Sequence, residues 1–373
     1  MGGTLSRFFN LFQSRYIAKA ARDAPAGDVS GVAKGGAAPL AAAVADGGPI
    51  ANGVQTHSGE NAGERVVDYA GDYGVLPEYV RSLSMAWLAG RLAPEVAKPV
   101  GDDALGRRII EQLDALAESE FSGANLIPRV PSVMVQLLKR SHEENVTDSD
   151  LARLIAKDVV LVAALLNEVN SSFYKTNKQV TDLNQAIMLL GHKRLRLVLA
   201  RLSFTPVFND QFGQYTRRVA GQLWEQSQQR ALASYILSKT SGNDPFLAFL
   251  AGLMQEVGFA VALRVMERID SQAVLPDGAA FEEALRDRIG TLSTRIVRYW
   301  AMPEPVVAAI AGQISEPMTV VLREAGFLSN VALLIRDKVL QVDMEKMSAT
   351  LDGDGMACLT AILGGRVSLD NVM

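Results

Sequence analysis

The chain has 373 residues, 49% of them hydrophobic, which is enough for more than one folding unit and for a sizeable core. Its 37 Lys and Arg against 41 Asp and Glu give a net charge of −4, so no overall electrostatic pull draws it to nucleic acid or anionic lipid. A single cysteine, Cys358, rules out an intramolecular disulfide and, set in an apolar run from Met356 to Leu363, reads as part of a buried helix face in reduced, intracellular surroundings.

Residues 1–23 read as a basic amphipathic helix. Leu5, Phe8, Phe9, Phe12 and Tyr16 fall at helical spacing, with Arg7, Arg15, Lys19 and Arg22 largely elsewhere around the axis. No uninterrupted apolar core precedes Arg15, which argues against a secretory signal, and the formal Met1-Gly2…Ser6 myristoylation pattern is a match common by chance. The helix can dock on protein or lie weakly in a membrane interface; four scattered positive charges make a marginal membrane anchor, so docking is favoured.

Residues 24–75 are rich in Ala, Gly and Pro and are expected to form a disordered tether, reaching on the order of 40 Å, in which His57 is simply solvated. Lead-in helices follow over 76–118. The first opens at Pro77-Glu78 and carries Val80, Leu83 and Leu88; the second starts near Asp102 and carries Leu105, Ile109, Ile110, Leu113 and Leu116.

The stretch 126–204 holds four apolar faces at 3.6-residue spacing, built on Leu151, Leu154 and Ile155, then Val162 to Val169, Leu183 to Leu190, and Leu195 to Leu202. Thr147 with Asp150, and Val146 opposite Leu151, form a start signal; Thr181-Asp182 forms another, and Gly191 a stop or tight turn. After a break at Pro206, a helix spans 221–239. The segment 245–263 is apolar nearly all round, so it reads as one buried central rod whose polar side chains are Gln255 and Glu256. Separate helices are expected near 280–286 and 292–300, another from Pro303-Glu304-Pro305 through Ile310, and a long one from Met318 with Leu328, Val331, Ala332 and Ile335. Asp352-Gly353-Asp354-Gly355 reads as a turn before a last short helix. No strand, no internal repeat and no transmembrane span is expected, and the fold class is all-α.

Several of these residues carry a resemblance. Pro128 and Pro131 ahead of a helix, Ile155-Ala156-Lys157-Asp158, Leu165-Leu166, Asn170 to Tyr174, and the run from Gln185 to Arg196 resemble the HDOD domain, a bacterial helical signalling domain related to the HD phosphohydrolases. The likeness continues through Trp224 to about Ile314, so that 119–315 is read as a multi-helix HDOD-like domain and 316–373 as a C-terminal helical extension.

The related hydrolases hold divalent metal through His, a His-Asp pair and a further Asp, and the metal activates water. Where the family pattern has Trp-x-His-Ser, this chain has Trp224-Glu225-Gln226-Ser227; where it has His-Asp, Gln255-Glu256; where it has His-His, Gln313-Ile314. Amides are poor ligands beside imidazole, and Glu256 by itself cannot assemble a hydrolytic site. The expectation is no metal, no cofactor and no catalysis, with Gln226, Gln255 and Gln313 sharing hydrogen bonds with Glu256 as a polar plug. The sequence also lacks a Gly-x-Ser-x-Gly elbow, a phosphate-cradling Gly-x4-Gly-Lys-Ser/Thr loop and a Cys-x-x-Cys pair.

Two surfaces are candidates for partner binding. Asn170, Phe173 and Tyr174 form an aromatic loop; Lys193, Arg194 and Arg196 form a basic face that superficially resembles a helix-turn-helix. The blander reading of the first is capping and loop packing, and of the second a solvated face. The negative net charge and the lack of an aromatic platform disfavour nucleic acid. The resemblance implies a non-catalytic signalling or scaffold protein in a bacterial two-component or cyclic di-GMP network, binding a sensor kinase, a response regulator or a cyclic di-GMP enzyme. It would be cytoplasmic, with the first helix able to hold it peripherally at the inner membrane face. The alternatives are a residual nucleotide-binding or metal-dependent phosphohydrolase module, and a DNA-binding regulator.

Overall fold

The structure, a computed structural model, describes residues 54–58, 65–69, Val80, Arg81, Leu83, Ser84, Leu88, 103–121, Leu126, Ile127, Val130, Met134, Gln136, 148–171, 179–209, 213–270, 279–313 and 315–364. The expected first helix, most of the tether, Pro128, Pro131, Thr147, Phe173 and Tyr174 lie outside the described residues. Twelve helices follow in order among those residues. They are α1 (Asp103–Glu118), α2 (Asp148–Ile155), α3 (Val159–Val169), α4 (Leu183–Asn209), α5 (Gln214–Ser241), α6 (Pro245–Met254), α7 (Val257–Ile269), α8 (Ala279–Tyr299), α9 (Glu304–Ile310), α10 (Pro317–Arg336), α11 (Met344–Thr350) and α12 (Gly353–Leu363).

Helix α5 is the axis of the assembly. It packs against α4, α6, α7, α10 and α12, and its buried side chains divide between two cores. Leu223, Trp224 and Leu232 face the larger core with α1 to α4 and α6 to α9, whereas Ala233 and Leu237 face a smaller one built with α10, α12, Val80 and Leu83. Local signals explain the ends of these elements. Asp158 caps α3 by accepting the Leu161 N–H at 3.0 Å, and Asp182 does the same for Gln185 at 3.3 Å. Gly242 ends α5 in the left-handed region, and Asp244 then accepts the N–H groups of Phe246 and Leu247, with Pro245 at the first position of α6.

The all-α class holds, with corrections in detail. The expected central rod is two helices, because Glu256 has non-helical dihedrals (φ −114, ψ 25) and Gln255-Glu256 turn the chain between α6 and α7. Pro206 does not break its helix. The non-helical residue inside α4 is Gly191, with φ +66, and α4 runs on to Asn209. Residues 279–299 form one helix rather than two. Asp352 caps α12, accepting the Gly355 N–H at 2.7 Å, so Gly353 to Gly355 are its first turn rather than a turn before it.

Strands were not expected, yet a three-stranded sheet is present: β1 (Val54–Ser58) pairs antiparallel with β2 (Arg65–Tyr69), and β2 pairs parallel with β3 (Leu340–Val342). The first two fall inside the span read as disordered, so that reading fails for those residues, and His57 lies opposite Val66 in the ladder. Among the described residues two segments are long and apolar enough to cross a membrane, Pro245–Ile269 and Pro317–Arg336, also against expectation. The first is 89% buried within the protein and broken by the turn at Glu256, as befits core helices.

Candidate functional site

Three of the four degenerate positions, Gln226, Gln255 and Glu256, lie where α5, the α6–α7 turn and α10 meet. Gln226 and Arg230 lie one turn apart on α5 and so share a face. Arg230 is 2% exposed, yet its guanidinium stands 2.9 Å from the Glu256 carboxylate. The charge of Glu256 is thus met by a cation of the chain itself. Gln226 donates its amide to Asn330 Oδ1 of α10 at 2.5 Å. A second link between α5 and α10, the ion pair Glu225–Arg336, lies closer to the surface.

Gln255 Oε1 and Arg230 Nε are both buried without a hydrogen-bond partner, and both lie 3.8 Å from the point where a side chain at Gly326 would begin. Gly326 and Asn330 are one turn apart on α10, so this helix presents a gap and an amide to the site. The expected plug of amides around Glu256 does not form: Gln226 bonds Asn330, Gln255 Oε1 has no hydrogen-bond partner, and Arg230 meets the Glu256 carboxylate. Gln313 is exposed beyond α9, where its backbone carbonyl accepts the Thr319 hydroxyl at 2.7 Å. Arg230 and Asn330 take the places expected of it.

The tight seat of the α6–α7 turn comes from two glycines. A Cβ at Gly252 would lie 2.8 Å from the Ala231 Cα and the Arg230 carbonyl, and one at Gly258 only 2.3 Å from the Ile289 carbonyl. The first close approach seats the turn that carries Glu256 on α5, and the second seats it on α8. The residues do not fit a divalent metal. The imidazole positions hold amides, a guanidinium occupies one side of the remaining carboxylate, and no group of three His, Cys, Asp or Glu comes together among the described residues.

The other candidate residues have structural partners. Asn170 donates its amide to the Leu166 and Val180 carbonyls at 2.8 and 2.7 Å and accepts the Val180 N–H at 2.7 Å, closing the loop between α3 and α4. Arg196 is half-buried, its guanidinium 4.0 Å from the centre of the Phe246 ring, and burial pushes its pKa down while Asp244 pulls it up. Lys193 is exposed and Arg194 half-buried. Arg201 forms an ion pair with Glu168. The structure does not gather Lys193, Arg194 and Arg196 into one exposed basic face, because Arg196 is spent on packing.

These features define an all-α helical protein whose central polar site is closed by an internal ion pair. The HDOD domain matches residues 127–315, half of the chain, and the protein belongs to that family. It is 26% identical over 210 residues to an uncharacterised protein of Treponema pallidum (strain Nichols), over 53% of this chain and 40% of that one, so it spans well under half the length of this relative. Among solved structures it is similar to an HDOD domain protein with unknown function from Geobacter sulfurreducens, at 18% identity and TM-score 0.49, over 69% of this chain and 90% of that one. It is also similar to the MmoQ response regulator of Methylococcus capsulatus, at 21% identity and TM-score 0.30, over 62% and 95% of the two chains.

Proposed function

We propose that the protein is a non-catalytic signalling or scaffold component that binds other proteins through its HDOD body. Membership of the family supports a signalling-related role. The observation that carries the non-catalytic reading is the pairing of buried Arg230 with Glu256, which meets the carboxylate with the chain's own cation at a place where Gln226 and Gln255 stand instead of imidazoles. Fitting partners are a sensor kinase, a response regulator or a cyclic di-GMP enzyme, in the bacterial cytoplasm.

The test is a phosphodiesterase assay with excess manganese, run beside metal analysis of the purified chain. No turnover and well under one metal per chain are expected. Turnover that disappears in Glu256→Ala would overturn the reading. A second reading, a retained pocket for a small polar ligand, is favoured by Arg230 Nε and Gln255 Oε1, both unpartnered and both beside Gly326. Calorimetry with nucleotides separates the two, since the scaffold reading expects no heat of binding.

A further inference from the structure

Large apolar side chains exposed to solvent are few among the described residues, and four of them sit on two neighbouring helices. Val159, Val160 and Met188 are each about four-fifths exposed, and Leu189 is nearly half exposed. Helices α3 and α4 pack together, and Asn170 ties the end of α3 to Val180 just before α4. The chain therefore doubles back at that clamp. At 1.5 Å per residue, Val159 and Val160 lie about 15 Å along α3 from it, and Met188 and Leu189 lie about 12 Å along α4. The two pairs stand at nearly one level.

The exposed positions of these two packed helices have a second property. From Val159 to Asn167, and again from Leu183 to Leu190, there is no Asp, Glu, Lys or Arg at all. The other exposed positions there, Ala163, Asn167, Asn184 and Gln185, are small or neutral. An exposed two-helix face with Val, Met and Leu and no formal charge has the composition of an interface core rather than of free surface, on which charged residues are common. Methionine at its centre suits a flexible apolar partner.

From these observations we infer that this face is the docking site of the chain's own segment 4–22. That segment carries an apolar stripe, Leu5, Phe8, Phe9, Phe12 and Tyr16, that matches the apolar character of this face, where four of the seven exposed large apolar side chains among the described residues sit. About 30 residues separate it from Val54, and an extended chain of that length reaches about 100 Å, more than the body requires. Joined to the same chain, it meets the face at an effective concentration on the order of millimolar, an advantage that a second copy or a foreign helix lacks. Charge sets its direction. Exposed Asp182 lies at one end of the face and exposed Lys157 and Lys193 at the other, so the Arg15 to Arg22 end belongs near Asp182. The inference is independent of whether the protein is catalytic.

The test places a photoreactive p-benzoylphenylalanine at position 188 of the full chain, using an equal mixture of isotopically light and heavy protein. Cross-links into peptides from residues 4–22 are expected, light with light and heavy with heavy only. The double substitution Phe8→Ser, Phe12→Ser should lower their yield at least about tenfold, as the loss of two buried phenyl groups requires. The same probe at Val320, exposed on a different helix, should give none. Cross-links that pair light with heavy chains would assign the face to a second copy and overturn the inference. So would the absence of any link to residues 4–22, or equal yield from position 320.

Discussion

Ser293 Oγ accepts the backbone N–H of Gly258 at 2.9 Å, and this bond seats the start of α7 directly on α8. A methyl group at Gly258 would meet the Ile289 carbonyl at 2.3 Å and the Ser293 backbone nitrogen at 2.8 Å, both parts of a helix that cannot yield locally. Gly258→Ala should therefore cost about 3 kcal/mol or more, at the upper end for overpacking, and leave much of the protein insoluble. Urea unfolding of the soluble fraction measures it. A midpoint equal to that of the natural chain would mean that α7 and α8 are not packed this closely.

The pairing of Arg230 with Glu256 makes a separate prediction. Removing the carboxylate strands a guanidinium that is almost wholly buried, so Glu256→Gln should lose on the order of 2 kcal/mol, less than a fully buried pair because Glu256 is 35% exposed. Replacing both groups with Arg230→Met and Glu256→Gln should cost less than the sum of the single changes, since no charge is left unmatched. A double-mutant cycle by chemical denaturation reads the coupling. Additive losses would show that the two groups do not interact.

How far the fold could be read from sequence depended on how local its cause was. The capping of α4 by Asp182 and the turn at Gly191 were legible, because each is written within a few residues. The break at Glu256 was not. In a segment apolar on all sides, periodicity carries no information about where a helix stops, and the cause is a close approach to α5 and α8 far away in sequence. The pairing of β2 with Leu340–Val342 joins residues some 270 apart and is not written locally, whereas β1 and β2 are neighbours in sequence within a stretch rich in Ala and Gly. At the site, the loss of imidazoles was legible, whereas the replacement of Gln313 by Arg230 and Asn330 needed the packing of α10 on α5.

The three short hydrogen bonds of Asn170 close the loop between α3 and α4, as the capping reading of this residue expects. Asn170→Ala would leave the Val180 N–H and carbonyl without their partners and should cost about 2–3 kcal/mol. Asn170→Asp should be little better, since it retains the acceptor and loses the donor. Hydrogen exchange should quicken from Val180 into the first turns of α4 while α10 is unaffected. Unchanged protection there, with a loss of partner affinity, would restore the recognition role.

Cys358 is fully buried against Ala233, and burial first, with Glu324 second, pushes its thiol up to about 12. The thiolate is the reactive form, so the native chain should resist iodoacetamide at pH 8 and be modified only after denaturation. Mass spectrometry of the two samples decides. Rapid labelling of the native chain would show that the core around α12 opens freely.

Glu282 on α8 offers a test by pH. Burial raises its pKa from 4.5 to about 8 against the opposing pull of Arg286, and its Oε1 has no hydrogen-bond partner. Between these two values the folded chain holds a proton that the unfolded chain has lost. The unfolded state thus binds fewer protons, and stability must fall as pH rises through that window. Below pH 4.5 both states are protonated there and the group makes no difference. Glu282→Gln, which cannot ionise, should therefore be more stable than the natural chain at pH 8, match it closely at the acid end, and show a flatter decline between. Thermal unfolding of both proteins across the window measures this. Parallel curves would place Glu282 in water rather than against the core.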